Sequence, residues 1–323
     1  MQNTVYNILN DMSEVLNIQQ MKLLQESLIK RLQSGEQAEE KKIDNRDFLD
    51  MFIAAKRIEG CSERTIEYYY VTIQNMFKDI SIPVRHITTD DLREYLTAYQ
   101  KKNNCSKVTV DNIRRNLSSF FSWLEDEDHI LKSPIRRIHK VRTGTRVKDT
   151  LSDESIESLR DNCKNIRDLA IIDFLYSTGV RVGELVNLNV SDINFEEREC
   201  IVYGKGNKER RVYFDARSKI HLQEYLKTRT DKNEALFVTL DNPHERLKIS
   251  GVEIRLRMLG RKLNIEKVHP HKFRRSMATK AIDKGMPIEQ VQRLLGHQQI
   301  DTTMHYAMVN QNNVKNSHRK YIA

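Results

Sequence analysis

The chain is poor in the residues that staple or punctuate small folds. Four cysteines, five prolines and eleven glycines are spread over 323 residues. Cys61, Cys105, Cys163 and Cys200 lie far apart with no paired spacing, which argues against a disulfide frame and against a zinc finger. With so few breakers, most of the chain is expected to form regular elements. Long apolar runs are missing too: no stretch approaches the roughly 18 consecutive apolar residues a spanning helix needs. The start, "MQNTVYNILNDMSEV", has no basic region followed by an apolar block, so no secretory signal is read there. Internal repeats, low-complexity blocks, a Walker loop and a carboxylate cluster are also lacking. These absences leave a soluble, reduced, cytoplasmic protein as the expectation, with no membrane partner.

What is present is a core and a surplus of positive charge. Hydrophobic residues make up 39%, and the length suits two domains better than one. Lys plus Arg outnumber Asp plus Glu by 54 to 45, giving +9, a balance suited to nucleic acid. The charge is uneven. Residues 1–44 hold five basic and seven acidic side chains, so the remainder carries +11. Between Leu131 and Lys148, "LKSPIRRIHKVRTGTRVK" has seven basic residues and no acid. Such a run is ordinarily a solvated linker. Here Lys132, Arg136, Arg137, Lys140, Arg142, Arg146 and Lys148 are interleaved with Ile135, Ile138 and Val141, so a strap laid along a phosphate backbone is expected.

Helical periodicity organises the rest. Residues 3–33 carry two amphipathic stretches, and the acidic balance of residues 1–44 suits packing of this end on protein rather than on DNA; "QSGEQAEEKK" follows as a linker. From Asn45 to Leu131 four helices are readable. Ser62 is a candidate cap for the second, and Thr89 or Asp90 for the third. Trp123 and the Phe120–Phe121 pair read as core rather than as a stacking platform for bases. Beyond the basic run, Ser152 or Asp153 caps a helix, and "NIRDLAIIDFLYSTG" is a buried helix stopped by Gly179. "ECIVYGKGNKERRVYF" is a two-stranded hairpin, after which helices return. The expected division is a helical appendage and linker at 1–44, a helical domain at 45–131, a basic linker at 132–149 and a second domain at 150–323.

Several side chains invite a chemical reading, and each has a plainer one. Arg181 follows a helix-ending glycine, and an arginine there ordinarily pairs with Glu184 three residues on. Lys205 sits in a glycine-flanked turn, where a lysine is usually just solvated. His269 and His271 flank a proline, but no third metal ligand stands at a familiar spacing. His271 and Arg274 share one face of a first helical turn. Pro287 lies near the first position of a short amphipathic helix that Gly296 stops, which holds His297 at a helix exit. Asp301 is read as the cap of the next helix, with Tyr306 about a turn and a half in.

In this order, Arg181, a turn lysine, His-x-x-Arg, Gly-His and a tyrosine nine residues later resemble the tyrosine recombinase/integrase family, near its Xer-type and phage- or element-integrase members. The resemblance covers residues 45 to 323. It implies a mainly α fold with a small β-sheet (α+β), in which a SAM-like core-binding domain and a catalytic domain form a C-shaped clamp on DNA. It implies site-specific recombination through a 3′-phosphotyrosyl intermediate and a Holliday junction, with a type IB topoisomerase or a non-catalytic DNA-binding protein as the alternatives. Carried over, Tyr306 is the nucleophile, Arg181 and Arg274 clamp the phosphate, Lys205 protonates the leaving oxygen, His271 serves as base and His297 bonds the scissile phosphate. No metal and no nucleotide cofactor is implied. The implied partners are double-stranded DNA with core sites, a homo-tetramer on two duplexes, and accessory DNA-bending or directionality proteins. Two features depart from the pattern. Arg275 stands where the family often has histidine and is expected to add a phosphate contact. Residues 1–44 lack the character of a basic arm-binding domain. The tail after Tyr306 is expected to dock on a neighbouring protomer.

Overall fold

Short polar side chains open the helices that the sequence marks. In a computed structural model, which describes residues 2–13, 15–33, 44–142, 149–204, 209–297, 299–300 and 303–304, the chain divides into two units, Met1–Gly144 and Thr145–Ala323. The first holds α1 (Gln2–Met12), α2 (Ile18–Gln33), α3 (Asn45–Ile58), α4 (Glu63–Asp79), α5 (Thr89–Asn103) and α6 (Lys107–Asp126). Residues 34–43, within the stretch expected to be a linker, lie outside the described residues. Ser62 and Ser106 cap α4 and α6 by accepting the amides of Thr65 and Thr109. The cap of α5 is Thr88, one residue earlier than expected. Its hydroxyl accepts from the Asp91 amide while the Asp91 carboxylate accepts from the Thr88 amide, a reciprocal pair worth more than either bond alone.

α3, α4, α5 and α6 bury one aromatic-rich core. Phe52 meets Phe120 and Trp123 edge-on, with ring centroids 5.3 and 5.6 Å apart. Phe120 and Phe121 are fully buried, and Trp123 nearly so. Each such side chain contributes roughly 1.5–3 kcal/mol by leaving water. The basic run that follows is not a free strap along its first half. Pro134–Arg137 forms a 3-10 turn that plugs Ile135 into this core, Ile138 and Val141 pack against it, and the Val141 amide donates to Asp111. The apolar members face inward, so Lys132, Arg136, Arg137, Lys140 and Arg142 are left exposed. Arg146 and Lys148 lie outside the described residues.

The second unit is built around a buried helix. It contains α7 (Asp153–Asp161), α8 (Ile166–Thr178), α9 (Val182–Asn187), strands β1 (Ile193–Asn194), β2 (Glu199–Tyr203) and β3 (Glu209–Tyr213), then α10 (Ala216–Thr228), α11 (Ile249–Lys262), α12 (Pro270–Asp283) and α13 (Ile288–Leu295). Ser152 caps α7. α8 presents Ala170, Ile171, Ile172, Phe174 and Leu175 to the core, with α10 and α12 packed along it. The antiparallel sheet runs β1-β2-β3, in register with Val202 opposite Arg210 and Cys200 opposite Val212. β1 is unexpected, because two residues are too few to show a period. Among the described residues no helix is long and apolar enough to cross a membrane.

Candidate active site

The site forms where two helix exits and two helix entrances of the second unit meet. α8 ends at Gly179, whose φ of 62° lies in the left-handed region that a side chain disfavours. The chain then turns into α9, with Arg181 at its N-cap. The Arg181 amide donates to Glu184 Oε2 at 2.7 Å and its Nη1 donates to Glu184 Oε1 at 2.9 Å. The plainer expectation for Arg181, an i+3 ion pair, therefore holds. Its side chain is nevertheless 37% exposed, and Nη2 also reaches the Gly296 carbonyl at 3.4 Å.

α12 brings in His271 and Arg274. Arg274 is 3% exposed. Its Nη1 donates to the Gly179 carbonyl at 2.5 Å, and its Nη2 donates to Leu295 O at 2.6 Å and to His297 Nε2 at 3.1 Å. One planar fork thus ties the end of α8 to the end of α13, a geometry an ammonium could not reproduce. α13 starts after Pro287, which is its N-cap, and stops at Gly296 with φ 65°. His297 follows, pinned by its backbone to Gln292 in both directions and by Nδ1 to Thr303 Oγ1 at 2.9 Å.

The hydrogen bonds assign the His297 tautomer. A guanidinium can only donate, so Nε2 accepts and the ring proton sits on Nδ1, facing Thr303. Burial, then the charges of Arg274, Arg181 and Arg210, hold its pKa down to about 4. His271, at the start of α12, is exposed to solvent, although nearby protein atoms partly desolvate its ring. That desolvation, with Arg274, Arg275 and Arg181, moves its pKa below the usual histidine value. Both imidazoles are therefore neutral at physiological pH, as a proton acceptor must be.

Arg275 points elsewhere than expected. Its Nη2 donates to the Asp149 carbonyl at 2.9 Å, while Ser276 Oγ accepts the Leu151 amide at 2.7 Å. The back of α12 thus fastens the chain as it enters this unit. The His269 and His271 rings stand 6.4 Å apart, edge to face. Among the described residues no group of three or more His, Cys, Asp or Glu could hold a metal ion. Lys205, Asp301 and Tyr306 lie outside the described residues; Ile300, Thr303 and Met304 are helical.

Two neighbours went unforeseen. Thr303 is fully buried against His297. Arg210, on β3, reaches toward α13 and forks onto Glu184 with two bonds of 2.7 Å. Its signal was in the strand alternation: Arg210 shares the inward face of β3 with Val212, and an inward arginine demands a buried acid.

Comparison with known proteins agrees with this arrangement. A model described as "Phage integrase family" matches residues 149–313, and one described as "Phage integrase, N-terminal SAM-like domain" matches residues 48–130. Tyrosine recombinase XerA of Pyrococcus horikoshii is 31% identical over 275 residues, covering 84% of this chain and 92% of that protein. Tyrosine recombinase XerC of Oceanobacillus iheyensis is 30% identical over 291 residues, covering 84% and 95%. Among solved structures, the Tn1549 transposon integrase in complex with a circular intermediate DNA matches with a TM-score of 0.69 at 19% identity, covering 84% of this chain and 99% of that one. XerH bound to a palindromic difH substrate gives a TM-score of 0.69 at 20% identity, covering 86% and 84%; at these identities the likeness is one of fold. Mainly α architecture with a small sheet, paired arginines at the meeting of helix ends, and matches spanning both units lead to one conclusion: the chain belongs to the phage integrase family of tyrosine recombinases.

Proposed function

We propose that this protein cuts and rejoins DNA at specific sites through a phosphotyrosyl enzyme, with Arg181, Lys205, His271, Arg274, His297 and Tyr306 as its working set. The observation that carries this reading is the Arg274 fork beside Arg181. Two guanidiniums converge where Gly179, Leu295 and Gly296 approach one another, and at least one is partly open to solvent. Phosphoryl transfer develops negative charge on the non-bridging oxygens, and a preorganised pair of guanidiniums stabilises that charge more than it stabilises the starting diester.

The Tyr306 phenol oxygen attacks phosphorus and the bond from phosphorus to the 5′ oxygen breaks, leaving a 3′-phosphotyrosyl ester and a 5′ hydroxyl. The phenolic proton passes to neutral His271, and Lys205 donates the proton that the departing oxygen takes up. Each proton transfer contributes on the order of 10²–10⁴ in rate. Because the ester conserves the bond energy, a 5′ hydroxyl from a second duplex can reverse the step and exchange strands through a Holliday junction. To bond the phosphate, His297 must place a proton on Nε2, where it now accepts from Arg274. An approaching anion favours that protonation by opposing the arginine field.

The same reading places the core-binding domain at 45–131, the basic linker at 132–149 and the catalytic domain at 150–323. It assigns the exposed cations from Lys132 to Arg142, together with Arg146 and Lys148, to the DNA backbone. It sets four copies on two duplexes in the cytoplasm, with accessory proteins as further partners and the 1–44 appendage serving contacts between protomers. Nicking and relaxation without exchange is not favoured, since the relatives that match along most of the chain are named recombinases.

The decisive experiment incubates the protein with a pool of labelled nicked duplexes carrying a randomised core and resolves covalent adducts under denaturing conditions. The wild-type chain yields an adduct whose DNA identifies the site, and Tyr306→Phe yields none. An adduct that persists in Tyr306→Phe overturns the mechanism.

A further inference from the structure

We infer that Arg210 is a positioning residue that aligns the phosphate-binding arginine and the hairpin on which Lys205 lies; this rests on the function proposed above. Glu184 is 94% buried, and its two carboxylate oxygens are shared between two arginines. Arg181 takes Oε1 through its Nη1 and Oε2 through its amide, while Arg210 takes the same two oxygens at 2.7 Å each. A buried carboxylate facing Arg181 alone would neutralise the charge that a phosphate needs. With Arg210 as a second cation, the cluster of Arg181, Glu184 and Arg210 keeps a net positive charge. The acid then serves to aim Arg181 rather than to quench it.

Arg210 also reaches the other wall of the site. Its Nε donates to Leu294 O at 3.1 Å. A methyl group built on Gly296 would lie 2.9 Å from Arg210 Cδ, so the guanidinium stem lies flat against the turn that presents His297. Its backbone belongs to β3, paired with Val202 of β2, and Lys205 lies in the connection between those two strands. One side chain thus links the N-cap of α9, the exit of α13 and the base of the β2–β3 hairpin. Glu184, though packed into this cluster, has its carboxyl pKa lowered, because bonds from Arg210 and Arg181 outweigh its desolvation. The Glu184 carboxyl is therefore ionised at working pH. Displacements of about 1 Å at remote supports can cost on the order of 10²-fold in rate.

The test compares wild type with Arg210→Met and Arg210→Lys, using a nicked duplex recovered from the adduct selection. Thermal melting establishes folding, fluorescence anisotropy measures DNA affinity, and the rate of adduct formation is followed at saturating DNA well below each melting temperature. Arg210→Met is expected to lose about 10²-fold in adduct rate with affinity within about threefold of wild type. Arg210→Lys keeps the charge but cannot fork Glu184 and reach Leu294 together, so a loss of about tenfold is expected. It serves as the deciding variant should Arg210→Met fail to fold. A folded variant that forms adduct at the wild-type rate, or one whose loss lies wholly in DNA affinity, overturns the inference. No adduct from the wild-type chain would instead overturn the function on which it rests.

Discussion

His297 is neutral for reasons visible atom by atom: it accepts from a guanidinium, donates to a buried hydroxyl and sits among three arginines. That state has a cost in acid. The unfolded chain holds this imidazole near 6.5, whereas the folded chain holds it near 4. Between those values the unfolded state binds more protons, so folding stability falls as pH drops from about 6.5 toward 4, and the loss saturates below that. His271, also lowered, acts in the same sense. Melting temperatures recorded across this window should decline more steeply for wild type than for His297→Gln. Identical slopes would mean that His297 is not held neutral by its surroundings.

At the scale of elements, the site depends on two helix terminations rather than on the helices alone. Gly179 has φ 62°, and a methyl group built on it would lie 2.0 Å from Met277 Cε. Gly179→Ala therefore combines left-handed strain with a clash in the α8–α12 packing, and it disturbs the carbonyl that receives Arg274. Strain of this kind costs on the order of 1–3 kcal/mol, while the clash falls on the far end of the flexible Met277 side chain and adds less. Urea denaturation should register that loss, and adduct formation should fall further than stability alone explains. An unchanged denaturation midpoint would show that the turn and Met277 adjust freely. The caps of α4 and α7, the stop glycine of α8 and the apolar period of α4 and α6 were legible because each is decided within a few residues. β1 was not, since its pairing with β2 is a contact across a turn.

For the whole molecule, the basic stretch after α6 links packing to charge. Ile135, Ile138 and Val141 are drawn onto the first unit's core, and that anchorage turns Lys132, Arg136, Arg137, Lys140 and Arg142 outward. If these cations meet phosphates, DNA affinity falls steeply with salt, and each contact removed lowers the log–log slope by about 1. Replacing Arg136 and Arg137 by Gln should reduce that slope by up to about 2 and weaken binding to unrelated duplexes equally. A slope equal to that of wild type would remove the stretch from the DNA interface.

Local physics carried a long way in this chain. Helical period, polar caps, stop glycines and the spacing of Arg181, His271, Arg274 and His297 are written in short windows, because hydrogen bonds within a turn or two decide them. The sharing of Glu184 by Arg181 and Arg210, the Arg274 fork from Gly179 to Leu295 and His297, the turn of Arg275 toward Asp149 and the burial of Thr303 are contacts between distant segments. Only chain closure and desolvation choose among the partners open to an arginine. The residues able to do chemistry could therefore be named from sequence, while their orientation and their protonation were decided in three dimensions.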